Sequence, residues 1–230
     1  MYAVDVLRGV AIVAMIIYHA AWFSDDARLL SLEMTALHWR AFQKSIAGTF
    51  FFLVGLSLQL ATTSGLNTRR YLMRLGKLLL CAAVVTITSV ILNPDRLITF
   101  GILHSIAACS VLAMPLTRTP MALNLLFSIG MILAGTSIQL PMFNHPALNW
   151  IGLFERGPHT FDHQPLLPWL GVVLLGGVVG RSIPEAVRSW QRTDRATQGL
   201  AVLGRWSLWI YMAHVPILMI GVMVLQQLLM

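Results

Sequence analysis

The sequence predicts an all-α fold, a polytopic membrane bundle of about seven transmembrane helices with its N-terminus in the cytoplasm. Three observations lead there. The 230 residues are 57% hydrophobic, about 131 apolar side chains against 25 charged ones, and mean hydropathy is +0.74. A soluble chain carries about a quarter of its residues as charges, whereas this one carries 11%. Seven spans of about 20 residues use roughly 140 positions, close to the apolar inventory, so a single transmembrane domain over 1–230 with short connections is expected.

Apolar runs place the spans at 7–23, 43–63, 75–93, 98–115, 121–140, 166–183 and 206–228. The first resembles a signal peptide in outline, but its short start contains Asp5 and six further spans follow, so it reads as a retained helix. With the N-terminus inside, eleven cations fall inward (Arg8, Arg69, Arg70, Arg74, Lys77, Arg118, Arg181, Arg188, Arg192, Arg195, Arg205) and five outward (Arg28, Arg40, Lys44, Arg96, Arg156). That asymmetry satisfies the positive-inside rule. The net charge of +7 therefore reports topology and contact with anionic membrane lipids, and no nucleic-acid partner is expected.

Residues 64–74 and 181–205 read as basic cytoplasmic loops, and 24–42 and 141–165 as the longer outward connections. Loops as long as the last are often functional. Cys81 and Cys109 fall inside spans, which argues against a disulfide framework. Gly171, Gly176, Gly177 and Gly180 include a G-x-x-x-G spacing suited to close helix packing. The scattered methionines read as adaptable packing, and no internal repeat is visible.

Chemistry concentrates in the first span. Arg8 and His19 are eleven residues apart, about 1100° of helical rotation, so they share a face about 16 Å apart along the axis. Asp5 can pair with Arg8 at i,i+3 spacing. Alone, Arg8 reads equally as an inner anchor, but His19 lies within a span, where an ionisable group is costly and usually marks function. His104 and His214 are two more intramembrane histidines, and Pro216 frees a carbonyl beside the second. Each alone is ordinary packing; together the three suit one cavity. In the outer loop, His159, Asp162 and His163 lack a regular ligand spacing, so no metal is expected.

Four blocks in order, DVLRGVAIVAMIIYH, FGILHSIA, DHQPLLPWLGVVLLG and LGRWSLWIYMAHVPIL, resemble the bacterial branch of the heparan-alpha-glucosaminide N-acetyltransferase catalytic-domain family. The Arg8 to His19 spacing is also similar to the first-helix motif of acyltransferase-3 membrane enzymes. The resemblance implies an acyl-CoA-dependent N- or O-acetyltransferase of the bacterial inner membrane. It would move acetyl from cytoplasmic acetyl-CoA to an amine or hydroxyl of an outward-facing sugar or envelope glycan.

In that reading Arg8, steadied by Asp5, and Arg69, Arg70 and Arg74 hold the coenzyme A phosphates. His19 is the principal base, and His104 or His214 stabilises charge developing on the thioester oxygen. Animal members carry asparagine at the first-helix histidine position and place the histidine in the following luminal segment, which makes His38 the competitor. Asp162 would orient an amino sugar or the base, or serve as a helix cap. A transporter using the same histidines as a proton relay is the alternative from another class, though such proteins usually show duplicated halves. Oligomeric state, a homo-oligomer included, stays open.

Overall fold

The structure, a computed structural model, describes residues 1–229 except 185, 186, 188 and 193, so Arg188, one of the cations expected on the inner side, lies outside the described residues. Among those residues the chain is helical and contains no strand. The main elements are α1 (Tyr2–Asp26), α2 (Leu37–Thr63), α3 (Thr68–Leu92), α4 (Ile102–Leu116), α5 (Met121–Ser137), α6 (Leu166–Ser182), α7 (Arg195–Arg205) and α8 (Ser207–Leu229). Four of them, α1, α2, α3 and α8, are long and apolar enough to cross a membrane, whereas α4, α5 and α6 are apolar but only 15 to 17 residues long. Large apolar side chains point outward on the long helices, including Leu80, Ile91, Ile217 and Ile220 at 63–72% exposure. That surface suits hydrocarbon, not water.

The chain divides into two compact units, Met1–Phe50 with Pro184–Met230, and Phe51–Ile183. In the first, α1 packs on α7 and α8. Two glycines set the α1–α7 approach: a Cβ on Gly9 would overlap the Leu200 carbonyl, and one on Gly204 would overlap the Asp5 carbonyl. The core of this unit joins Ile12, Met15 and Tyr18 of α1 to Ile46 of α2, with Trp39, Phe42 and Tyr211 packed around them.

Helix α7 corrects the reading of 181–205 as a loop throughout. Asp194 caps it, accepting from the Thr197 backbone N–H at 2.9 Å and from the Thr197 hydroxyl at 2.7 Å. Its buried stripe is only Ala201 and Gly204, with Thr197 and Leu200 half-buried. So short and small-residued a face is invisible to a search for apolar runs, yet it permits backbone-to-backbone packing on α1.

In the second unit α5 packs on α6, α6 on α4, and α4 on α3. The α6 glycines work as their spacing predicts: a Cβ on Gly176 would overlap the Phe52 carbonyl of α2, and one on Gly171 would come within 2.6 Å of the Ser128 carbonyl of α5. Across the latter contact the Ser128 hydroxyl donates to the Gly171 carbonyl at 2.7 Å. Phe51 and Trp169 stack with centroids 4.9 Å apart. Gly65, at φ +80°, makes the left-handed turn between α2 and α3.

Helix α4 starts at Ile102, not at the expected 98, because Ile98 is held outside it: its N–H donates to Ser89 Oγ at 3.0 Å and its carbonyl accepts from Thr86 Oγ1 at 2.8 Å. The connection 138–165 is ordered by its own bonds. Leu140 donates to Leu153 at 2.8 Å, and Asn144 Oδ1 accepts from the Glu155 and Arg156 N–H groups at 3.0 Å each.

Candidate active site

In the first unit, α1 and α8 bring His19 and His214 into contact. The imidazoles meet edge to face, centroids 4.8 Å apart and planes at 77°. His19 Nδ1 lies 2.9 Å from the Met15 carbonyl one turn earlier, and His214 Nδ1 lies 2.5 Å from the Tyr211 carbonyl. A carbonyl only accepts, so in each neutral ring Nδ1 carries the proton and Nε2 carries the lone pair. His214 is 5% exposed, and its Nε2 has no hydrogen-bond partner among the described residues. Tyr18 packs 5.4 Å from His19, and Tyr211 packs 5.4 Å from His214. In their neutral form the two rings thus hold their lone pairs on Nε2, with Tyr18 and Tyr211 packed beside them.

Lower on α1, Asp5 and Arg8 pair at 2.9 Å, with side chains about one-fifth exposed. His38 occupies the first turn of α2, exposed, with its ring 5.7 Å from Trp39. Trp39 contacts Tyr18, so two rings intervene between His38 and His19.

His104 belongs to the second unit and has the opposite tautomer. The single Thr86 hydroxyl proton goes to the Ile98 carbonyl, so Thr86 Oγ1 accepts from His104 Nε2–H at 3.2 Å. The lone pair therefore sits on Nδ1, which is buried and unpartnered among the described residues.

Asp162 reaches across sixty residues to cap α4, its Oδ2 accepting from the Ile102 N–H at 2.8 Å. Only a glycine fits beneath it, since a Cβ on Gly101 would come within 2.5 Å of that oxygen. Burial pushes the Asp162 carboxyl above the ordinary carboxylate range, partly offset by the bonds from Ile102 and Gln164. The cap that the sequence allows before α6 therefore serves α4. Neighbouring His163 is held below its ordinary value by burial.

Arg69, Arg70 and Arg74 lie exposed on the first two turns of α3, whose N-terminus Asn67 caps. By rotation, Arg70, Arg74 and Lys77 fall within about 60° of one another, with Arg69 to the side. That face suits phosphate. Among the described residues no group of three or more His, Cys, Asp or Glu side chains is placed to hold a metal ion.

The sequence reading missed Thr86, Gln59 and Asn124, three polar groups inside apolar runs, although such polarity is itself a signal. It took Arg181 as a topology marker only. Its guanidinium in fact closes the end of α4, donating to the carbonyls of Thr119 at 2.6 Å and Thr117 at 2.5 Å.

The first unit offers the imidazole lone pairs of His19 and His214 for proton abstraction, and the second, by itself, a cationic face on α3 suited to an anion. Comparison with curated proteins gave no match, and neither did comparison with solved structures. The family model described as heparan-alpha-glucosaminide N-acetyltransferase, catalytic, matches residues 1–216, running through both units and through His19, His104, Asp162 and His214. Members of this family are membrane acetyltransferases that use acetyl-CoA as donor. A match over that much of the sequence shows that the chain belongs to the heparan-alpha-glucosaminide N-acetyltransferase catalytic family.

Proposed function

We propose that this protein moves the acetyl group of cytoplasmic acetyl-CoA to an amine or hydroxyl of a sugar on the outer side of a bacterial inner membrane. The family match carries the reading. In this scheme the chain acts as one domain, all seven apolar helices cross the bilayer, and the N-terminus is cytoplasmic, as the eleven-to-five distribution of cations favours.

His19 Nε2 takes the acceptor's proton as the acceptor nitrogen or oxygen forms its bond to the thioester carbonyl carbon. The C–S bond then breaks, and the coenzyme A thiolate leaves and is protonated from the imidazolium or from cytoplasmic water. Prior acetylation of His19 would use the same nitrogen. His214 supplies a second lone pair beside the imidazolium formed on His19. Arg8, held by Asp5, and Arg69, Arg70 and Arg74 take the phosphates. His104, whose Nε2–H is committed to Thr86, has no proton to offer the developing oxyanion and serves the seam between α3 and α4, and Asp162 acts through α4 as a positioning residue. His38 is the competing base.

Purified protein in proteoliposomes is expected to bind acetyl-CoA and to release coenzyme A when a glucosamine-bearing acceptor is present. No binding at millimolar acetyl-CoA would sink the reading. Transfer undiminished in His19→Ala but lost in His38→Ala would move the base to α2.

A further inference from the structure

We infer that the second unit binds one buried water where α2, α4 and α6 meet, and that this water joins Gln59 Oε1 to the Nε–H of Arg181. Neither group has a hydrogen-bond partner among the described residues. One is an acceptor and the other a donor, so they are complementary in kind, yet they do not bond each other directly. Gln59 is only 4% exposed. A buried polar atom without a partner is uncommon, and within hydrocarbon no bulk solvent reaches it.

The approach of the two residues is built into α6. Gly180, next to Arg181, lies against Gln59, for a Cβ there would come within 3.1 Å of the Gln59 Cβ. The Arg181 Nη groups are spent on the carbonyls of Thr119 and Thr117, which leaves Nε over on the same guanidinium. Thr117 in turn shares with Gln59 the wall of a recess between α2, α4, α5 and α6.

The size of that recess names its occupant. It leaves about 10 Å³ for the centre of a water molecule, which is room for one. A buried water makes about three hydrogen bonds. Here it accepts from Arg181 Nε–H and donates to Gln59 Oε1. Its second hydrogen finds an acceptor in the same wall, the Thr117 hydroxyl oxygen, whose own proton goes to the Met114 carbonyl at 2.7 Å. The charge of the guanidinium disfavours a cation in this place, and the volume refuses anything larger than water.

Asn124, the other amide in the wall, sets the contrast. It is equally buried, yet its Nδ2 donates to the Leu116 carbonyl at 2.7 Å and its Oδ1 accepts from Thr119 at 2.8 Å. One amide is thus closed by protein groups alone, and the other is closed through the water.

The direct test is a structure of the full-length protein at a resolution that shows ordered water. A single solvent peak is expected within hydrogen-bond distance of both Gln59 Oε1 and Arg181 Nε. No peak there, or a direct bond between the two side chains, overturns the inference. Gly177→Ala gives a second reading through its sign. Gly177 lines the recess, and outside its own helix a Cβ there meets nothing nearer than the Gly55 carbonyl oxygen at 3.9 Å. In a dry recess the methyl fills space and favours the helix, which would raise Tm by about 1–4 °C. Against a bound water it breaks the bridge and strands both polar groups, so Tm is expected to fall by roughly 2–6 °C. Gln59→Met, which removes the acceptor, should lower Tm in the otherwise wild-type chain and change it little in the Gly177→Ala background. A rise in Tm for Gly177→Ala, or equal losses from Gln59→Met in the two backgrounds, overturns the bridge. If either variant does not fold, the wild-type solvent peak decides. None of these outcomes bears on the acetyltransferase reading.

Discussion

His19 and His104 are the same residue in comparable apolar helices, one in each unit, and their surroundings leave opposite nitrogens basic. His19 gives its Nδ1 proton to a carbonyl of its own helix, so its lone pair points away from the backbone, beside the ring of His214. His104 gives its Nε2 proton to Thr86 on the neighbouring helix, and the Thr86 hydroxyl is itself committed to Ile98. An own-helix carbonyl fixes a tautomer without a second helix. A cross-helix hydroxyl fixes it only when that hydroxyl's proton is already spent. The first histidine therefore keeps its Nε2 lone pair beside another imidazole, and the second is tied into the seam between α3 and α4.

The largest expected effect tests that contrast directly. His19→Ala should lower kcat for acetyl transfer about 10²- to 10⁴-fold with acetyl-CoA binding retained, while His104→Phe should cost much less. Steady-state kinetics with calorimetric donor binding reads both, and equal losses would erase the distinction between the two units.

Next comes Arg181, whose cation holds the carbonyls that end α4. Arg181→Met should destabilise the protein by about 2–3 kcal/mol, lowering Tm by roughly 5–10 °C in a thermal melt. An unchanged melt would show that the carbonyls find water as readily as they find the arginine.

A smaller and pH-dependent effect is expected at Asp162. Burial raises its carboxyl in the folded chain, so its contribution to stability is fully present below the unfolded value and is lost as pH rises through the raised one. Asn does not ionise and keeps an oxygen for the Ile102 N–H. Relative to wild type, Asp162→Asn should therefore gain Tm as pH is raised from about 4 to 7. A difference that stays flat with pH would remove the carboxylate's role.

The smallest effect belongs to exposed Asp194. Its bonds from the Thr197 hydroxyl and N–H, the chief causes, hold its carboxyl below the ordinary range. The sign is thus reversed: its stabilisation is present above the ordinary value and is lost as pH falls through the lowered one. Asp194→Ala should speed hydrogen exchange at the first amides of α7 near neutral pH and leave α3, capped by Asn67, untouched.

Much of this protein was legible from local pattern. Hydropathy over a window of about twenty residues is a property of consecutive side chains, so the seven apolar helices fall close to their expected places. The Asp5–Arg8 pair follows from helical spacing alone. The glycines of α6 announced close packing because a missing side chain is visible in the sequence. The candidate site was legible as residue types, and His19, His104 and His214 stood out because hydrocarbon tolerates few polar groups.

Which nitrogen of His104 is basic, whether the rings of His19 and His214 touch, which helix Asp162 caps and whether Gln59 finds a donor were decided only by tertiary structure. Each depends on contacts between residues far apart in the chain, as in the sixty-residue reach from Asp162 to Ile102. Helix α7 was hidden for the same reason: its stability comes from the backbone of α1 fitting against Gly204, and no local pattern encodes a partner's shape.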